Sequence, residues 1–282
     1  MPESTSYFAR QPWIYRPIPD SIFILAPAFL ATFAVILFPD FFTDNQLMPP
    51  WAWLLLIVGV DVAHVYSTLW RTYFDPEEFG KYKKQLTWIP ILGFAAGFGL
   101  YAVDAMLFWR VLAYLAVFHF VRQQYGFLSI YARKDGREKW ERTVDAVTIY
   151  AATVYPLLYW HTHLPRNFNW FMEGDFVAVE ANGLSEIGFW IYAVIMVGYV
   201  GKEIYMSGQR KRINVPKNLI LIGTVVAWYY GIVVRNGDLA FTATNVLAHG
   251  IPYIHTRAIY GIPCANTFVA VKAKSPFRTT IP

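Results

Sequence analysis

The chain has little charge and almost no cysteine. Of its 282 residues only 15% are charged and 56% are hydrophobic, whereas a soluble domain is about 25% charged. The single cysteine, Cys264, excludes an internal disulfide and any metal site built from several cysteines. The N-terminal residues also lack the short apolar core and small-residue cleavage pattern of a secretory signal peptide. We therefore expect the first apolar stretch to remain in the mature protein as a helix and not to be cleaved off.

Long apolar stretches recur along the whole sequence, and each is close to the roughly 20 residues that cross the hydrocarbon core of a membrane. The sequence therefore predicts an all-α fold, a polytopic integral membrane bundle of about eight transmembrane helices. One membrane domain, 21–262, is expected between an N-terminal cytoplasmic arm, 1–20, and a C-terminal cytoplasmic tail, 263–282. The predicted spans are 21–42, 51–71, 86–103, 105–131, 143–162, 185–206, 217–234 and 239–262.

Lysine and arginine are distributed unevenly between the loops. Loops rich in these residues, such as 71–85 and 132–142, alternate with poor loops, such as 43–50, from one end of the chain to the other. Eight spans with both termini in the cytoplasm place all the rich loops on the cytoplasmic side, whereas seven spans do not. We therefore expect the net charge of +5 to orient the protein in the membrane and to contact anionic lipid, rather than to bind nucleic acid. We also expect the protein to lie in an inner or plasma membrane.

Ionisable side chains inside the predicted spans mark candidate functional residues, because a charge buried in lipid costs free energy. In the second span, Asp61 and His64 lie one helical turn apart on a face that also carries Thr68 and Arg71, and the rest of the helix is apolar. An acid beside a histidine is typical of a metal ligand oriented by a carboxylate. In the fourth span, His119 and Gln123 also share one face.

The eighth span carries a polar face and a proline. Asn245 and His249 lie one turn apart on this face, and the Gly250–Pro252 run follows at once. Proline cannot donate a backbone hydrogen bond, so we expect the helix to loosen here and to free carbonyl groups for a ligand or an ion. His255 points away from His249 on a regular helix, and only a kink at the proline would bring the two together.

Depth in the membrane separates the six histidines. His161 and His163 lie at the non-cytoplasmic end of the fifth span, where we expect them to contact the interface beside Trp160 and Trp170. Imidazoles with a carboxylate and no sulfur suit iron, zinc or manganese. The sequence therefore predicts a bound metal ion, iron first and zinc second. Its predicted ligands are His64, His119 and His249, with His255 as a fourth.

Three short motifs resemble the bacteriorhodopsin-related-protein (Brp/Blh) family of membrane β-carotene dioxygenases. They are GVDVAH ending at His64, FHF centred on His119 and AHGIP around His249, in the order expected for that family. Its members are all-helical membrane proteins that hold iron with histidines from several helices and act on a lipophilic polyene. The resemblance implies a metal-dependent membrane oxidoreductase whose substrate is lipophilic, such as an isoprenoid or acyl chain.

In this interpretation Asp61 fixes the tautomer of a ligand, while Gln123 and Asn245 position dioxygen or substrate. Three other functions use the same residues. A haem or electron-transfer protein would take two of the histidines as axial ligands, and a proton-coupled transporter would use Asp61, His64 and Arg122 as a relay. In a non-catalytic subunit the polar residues would only join helices. The sequence leaves the oligomeric state open.

Overall fold

The structure is a computed structural model that describes residues 7–8, 11–181 and 183–260, the last four of them by their backbone alone. Helices make up 75% of the structure, and the described residues contain no strand, which confirms the predicted all-α fold. The predicted tail, 263–282, lies outside the described residues, and so does Cys264.

Eight long helical segments account for most of the described chain, and the first begins inside the predicted N-terminal arm. They are α1 (Pro17–Leu37), α2 (Pro50–Arg71), α3 (Pro76–Val103), α4 (Ala105–Tyr131), α5 (Lys139–Thr162), α6 (Leu184–Arg210), α7 (Val215–Val234) and α8 (Asp238–Tyr260).

Six of these helices, α1 to α4, α6 and α7, are long and apolar enough to cross a membrane. They indicate a multi-pass, membrane-embedded protein. The other two, α5 and α8, have 24 and 23 residues and carry more polar side chains. At a rise of about 1.5 Å per residue, both are also roughly 35 Å long, which exceeds the thickness of the hydrocarbon core.

A single residue separates α3 from α4 and makes them a hairpin. Asp104 has extended backbone angles, φ −159° and ψ 124°, and its carboxylate accepts a hydrogen bond from the Leu107 N–H at 2.6 Å. An aspartate at this position satisfies one of the free N–H groups at the start of α4. The turn falls at the one residue that separates the predicted spans 86–103 and 105–131.

Helix α8 lies inside the bundle and packs against α1, α2 and α7. Its side chains join an aromatic core formed by Phe120, Trp160, Trp228 and Phe241. By contrast, α3 has no buried residue and packs mainly on α4 at the edge of the bundle. The polar face of α8 is therefore turned toward the protein interior, where a binding site can be closed off from lipid.

Helix α2 is irregular where it passes α8. From Leu54 to Val62 its backbone is π-helical, and it returns to an α-helix at Ala63. Such wide turns are rare and occur frequently at functional sites. Asp61 lies in the π-helical part, and His64 follows in the α-helical part.

Candidate metal centre

Three histidines from three different helices meet beside α8. His64 of α2, His119 of α4 and His249 of α8 each offer a ring nitrogen, and these nitrogens all lie within 4.8 Å of one another. His64 and His249 are buried, and His119 is partly exposed. The three main ligands that the sequence predicts are therefore brought together.

The ring nitrogens of His64 and His249 lie within hydrogen-bonding distance of each other. Their Nε2 atoms are 3.1 Å apart, and the two rings are nearly perpendicular. Two nitrogens bound at right angles to one metal ion, each about 2.1 Å from it, lie about 3.0 Å apart. The spacing of this pair fits a shared ion. All three ring nitrogens lie within 4.8 Å of one another. Two nitrogens on opposite sides of one metal ion are roughly 4.2 Å apart, which is close to this upper limit.

Packing fixes the ring of His249. Phe120, the residue after His119 on α4, stacks on this ring with centroids 3.5 Å apart and an interplanar angle of 8°. The His249 side chain is fully enclosed, with 0% of the residue exposed. A ring held on one face by an aromatic neighbour has little freedom to rotate, so its Nε2 atom stays directed at His64.

Several buried polar atoms around the three histidines have no hydrogen-bond partner. Buried polar groups in proteins are nearly always paired, so a cluster of unpaired atoms indicates a missing ligand or ordered water. Asp61 Oδ1 lies 3.5 Å from His64 Nδ1, which places the predicted acid beside the predicted ligand, although the contact is too poorly directed for a hydrogen bond. The unpaired atoms are Asp61 Oδ1, His64 Nδ1, Gln123 Oε1, Asn245 Oδ1 and His249 Nδ1.

The expected loosening of α8 is wrong, because this helix is continuous from residue 238 to residue 260. Pro252 removes the N–H that would bond the carbonyl of Ala248 four residues earlier. Gln124 of α4 replaces it, since its Nε2 donates to that carbonyl at 3.4 Å. The neighbouring Gln123 donates to the carbonyl of His249 at 2.8 Å. The carbonyls are therefore used to join α4 to α8 and are not open to an ion.

His255 is not part of the three-histidine group. Because α8 stays helical from residue 249 to residue 255, the six residues that separate His255 from His249 turn the two side chains to different faces. The His255 ring instead stacks on Phe23 of α1, with centroids 4.6 Å apart. The structure therefore gives no support to His255 as a fourth ligand.

The remaining histidines occupy another part of the bundle. His161 Nε2 is 2.8 Å from the hydroxyl of Tyr114, and His163 stacks on Tyr159 at 3.8 Å. Both rings also contact backbone carbonyls through Nδ1, at 2.6 and 2.8 Å. These contacts explain the pair as structural residues at the end of α5, separate from the metal group as the sequence predicts.

A cavity of about 370 Å³ lies on the far side of Phe120 and Asn245 from the ring of His249, and none of the three histidines lines it directly. Asp61 and Asn245 line it on the histidine side, together with Phe120, whose ring covers His249. Aromatic side chains from α2, α4 and the 163–183 loop also line it, namely Trp53, Trp109, Phe168, Trp170 and Phe171. Asn169, Asp238 and Thr242 add further polar groups. A cavity of this volume that combines aromatic walls with several polar groups is typical of a small-molecule site.

Arg122 does not join Asp61 and His64. Its guanidinium donates to the hydroxyl of Tyr150 on α5 at 2.7 Å and lies over the ring of Tyr125. The relay that a transporter would need is therefore not assembled from the three residues that the sequence suggests.

A buried ionic cluster was missed by the sequence analysis. Asp145 of α5 binds both Arg137 and Lys202, and Glu203 of α6 binds Lys202 at 2.6 Å and Lys217 at 2.5 Å. The signal was present, because Asp145, Lys202 and Glu203 all fall inside predicted spans. The cluster ties α5, α6 and α7 together at the end of the bundle rich in lysine and arginine.

No protein-family model, curated protein or solved structure matches the chain. The residues of the site therefore carry the functional conclusion by themselves. Among the described residues, three imidazoles and one nearby carboxylate form a donor set that fits iron or zinc.

Proposed function

We propose that this protein is a membrane oxidoreductase that binds one metal ion, iron in the first instance, through His64, His119 and His249. The observation that carries the proposal is the convergence of three imidazoles from three helices, within 4.8 Å of one another. Three nitrogen ligands leave positions open on a metal ion, and such an iron site would supply oxidation by dioxygen.

The surrounding residues have separate roles in this proposal. With the ion bound, Asp61 would accept a hydrogen bond from His64 Nδ1–H and so keep Nε2 of that ring available as a ligand. Asn245, which lines the cavity with an unpaired Oδ1 atom, orients the bound substrate. Gln123 holds α4 against α8 through the carbonyl of His249 and turns its own unpaired oxygen to a bound molecule.

The proposed substrate is lipophilic and is an isoprenoid or acyl chain. The aromatic walls of the 370 Å³ cavity favour an apolar chain, and the Asp61 and Asn245 side chains mark the end where chemistry takes place. The resemblance to the Brp/Blh family makes a polyene the first substrate class to test. Oxygen consumption by the iron-loaded protein, with and without a polyene in the micelle, measures the reaction directly.

We further propose eight membrane crossings, with both termini in the cytoplasm of a cell whose inner or plasma membrane holds the protein. This arrangement adds α5 and α8 to the six apolar helices, and their lengths of 24 and 23 residues support it. Thiol labelling tests it with single cysteines at Asn45 and Lys134 in a Cys264→Ser background. Labelling of Asn45→Cys from outside and of Lys134→Cys only after lysis is expected.

Metal analysis of the detergent-purified protein tests the site. We expect about one iron or zinc per chain, lost in His64→Ala and in His249→Ala. His161→Ala is the matched control, because that ring is paired with Tyr114 in another part of the bundle. Unchanged metal content in both site variants would refute the proposed site.

An absorption spectrum separates this proposal from a haem protein. A Soret band would indicate haem, whereas three histidines around a single ion give none. The Nε2 separation of 3.1 Å also argues against haem ligation by His64 and His249. Two axial nitrogens on opposite faces of a porphyrin stand about 4 Å apart with the ring between them.

A further inference from the structure

A second opening lies away from the histidines, between α5 and α6. It has a volume of about 710 Å³, and its walls are almost entirely apolar. Tyr125 of α4 contributes to one side, and Gly188, Ile191 and Tyr192 of α6 form the other. None of the three histidines of the metal group lines this groove. The role of this groove is therefore separate from the proposed metal chemistry.

The groove follows one face of α5 over most of its length. Its α5 residues run from Lys139 through Val147 and Val154 to Leu158 at helical spacing. These 19 steps cover about 28 Å at a rise of about 1.5 Å per residue, which is close to the 30 Å thickness of the hydrocarbon core. Val147 and Val154 are about half exposed, 47% and 53%, so the groove is open to the side. An extended acyl chain has the shape that fills such a groove.

Two cations stand at one end of this apolar face. Lys139 and Arg142 line the groove, and among the described residues no carboxylate lies within ion-pair distance of either. Arg142 directs Nε and one Nη2 hydrogen at the carbonyl of Arg137, at 3.1 and 2.9 Å, which leaves its other N–H groups available. By contrast, the neighbouring Arg137 and Arg210 are paired with Asp145 and Glu141.

We propose that this groove binds an anionic phospholipid, with an acyl chain along α5 and its phosphate at Lys139 and Arg142. The two cations have no carboxylate partner in the described part of the chain, so they favour a headgroup that carries a phosphate. The apolar face of the groove favours an acyl chain. The proposal rests on α5 crossing the membrane, as proposed above, but not on the metal or on the reaction.

Native mass spectrometry of the full-length protein tests the headgroup selection, with phosphatidylglycerol and phosphatidylcholine as the added lipids. We expect phosphatidylglycerol to be retained preferentially. An attraction of about 1 kcal/mol for each cation corresponds to about fivefold in affinity, so Lys139→Gln with Arg142→Gln should weaken phosphatidylglycerol binding by up to about thirtyfold. Phosphatidylcholine binding should change little.

Arg133→Gln with Lys134→Gln is the matched control, since it removes the same charge from exposed residues of the turn before α5 that do not line the groove. Equal losses in the two double variants would overturn the proposal, because they would indicate general attraction to the basic surface. Equal retention of the two lipids by the unmodified protein would overturn it as well.

Filling the groove tests the position of the chain. Val154→Trp places a large ring in the middle of the apolar face and should displace both lipids, while metal content stays unchanged. Retention of phosphatidylglycerol at the unmodified level in this variant would place the lipid elsewhere and refute the groove. Loss of metal in the histidine variants leaves the lipid result unaffected, so the two proposals fail independently.

Discussion

His64 and His249 direct their Nε2 atoms at each other across 3.1 Å, although 185 residues separate them in the chain. Two neutral rings can share one proton at this distance, but only if one ring keeps its proton on Nε2. Asp61, 3.5 Å from His64 Nδ1, favours the tautomer with the proton on Nδ1. With that tautomer, a lone pair of His64 is directed at His249, as a metal ligand requires.

This arrangement predicts the effect of Asp61→Asn. The amide keeps the size of the side chain but no longer stabilises the Nδ1 proton of His64 as a carboxylate does. We expect the metal affinity, measured by competition with a chelator, to fall about 10- to 100-fold. Asp40→Asn, on an exposed turn after α1, should leave the affinity unchanged. Equal affinities for Asp61→Asn and the unmodified protein would show that Asp61 does not orient the ligand.

The contact of Gln124 with the Ala248 carbonyl predicts a coupling with Pro252. Gln124→Ala leaves this carbonyl buried without a donor and should lower the free energy of unfolding by about 1–3 kcal/mol. Pro252→Ala restores the N–H of the helix to the same carbonyl, so the loss should be smaller in the double variant. Thermal unfolding in detergent measures all four proteins.

Thr224→Val controls for the second contact of Gln124, because the Thr224 hydroxyl donates to Gln124 Oε1 at 3.1 Å. Its effect should be the same with proline or alanine at position 252. Additive losses for Gln124→Ala and Pro252→Ala would show that the glutamine does not replace the missing helical bond.

The ion pair at the start of α5 predicts how stability depends on pH. Burial raises the pKa of Glu141, but hydrogen bonds from Arg210 at 2.7 Å and from the Glu138 N–H at 2.8 Å outweigh it and hold the pKa below its ordinary value of 4.5. A carboxylate whose pKa is lower in the folded state adds stability that is complete above pH 4.5 and is lost as the pH falls further.

Glu141→Gln should therefore reduce the loss of stability below pH 4.5 and lower stability at neutral pH by about 1–3 kcal/mol. Melting temperatures between pH 3 and pH 7 check both effects. Glu186→Gln, exposed in the first turn of α6, is the control and should follow the unmodified protein. If the melting temperature of Glu141→Gln fell with pH in parallel with that of the unmodified protein, Glu141 would not be the source of the lost stability.

The sequence predicted the parts of this molecule that depend on local pattern. Long apolar runs placed the helices, and polar residues inside those runs identified His64, His119 and His249 before their contact was seen. The structure does not place His255 in the group, because α8 stays helical past Pro252. Gln124 of α4 donates to the carbonyl that Pro252 leaves free, and a pattern along α8 alone does not contain this contact.

The buried ions were missed for a related reason. Asp145 and Lys202 are 57 residues apart and lie on different helices. Each charge alone would cost free energy inside its own helix, and the ion pair between them offsets this cost. When lysines are counted only to orient the helices, a lysine near the end of a helix is not recognised as part of a buried ion pair. Pairing across helices is a property of the packed bundle, which a pattern along one helix does not contain.

The last prediction concerns the ring that covers His249. Phe120→Ala removes the stack at 3.5 Å and joins the 370 Å³ cavity to the metal group. Loss of a buried phenylalanine costs about 3–5 kcal/mol, and a freer His249 ring should also weaken metal binding. Phe118→Ala is the matched control, because that ring is 55% exposed on the same helix and lacks this stack. Thermal unfolding and chelator competition measure the two effects, and equal behaviour of the two alanine variants would exclude a role for Phe120 in holding His249.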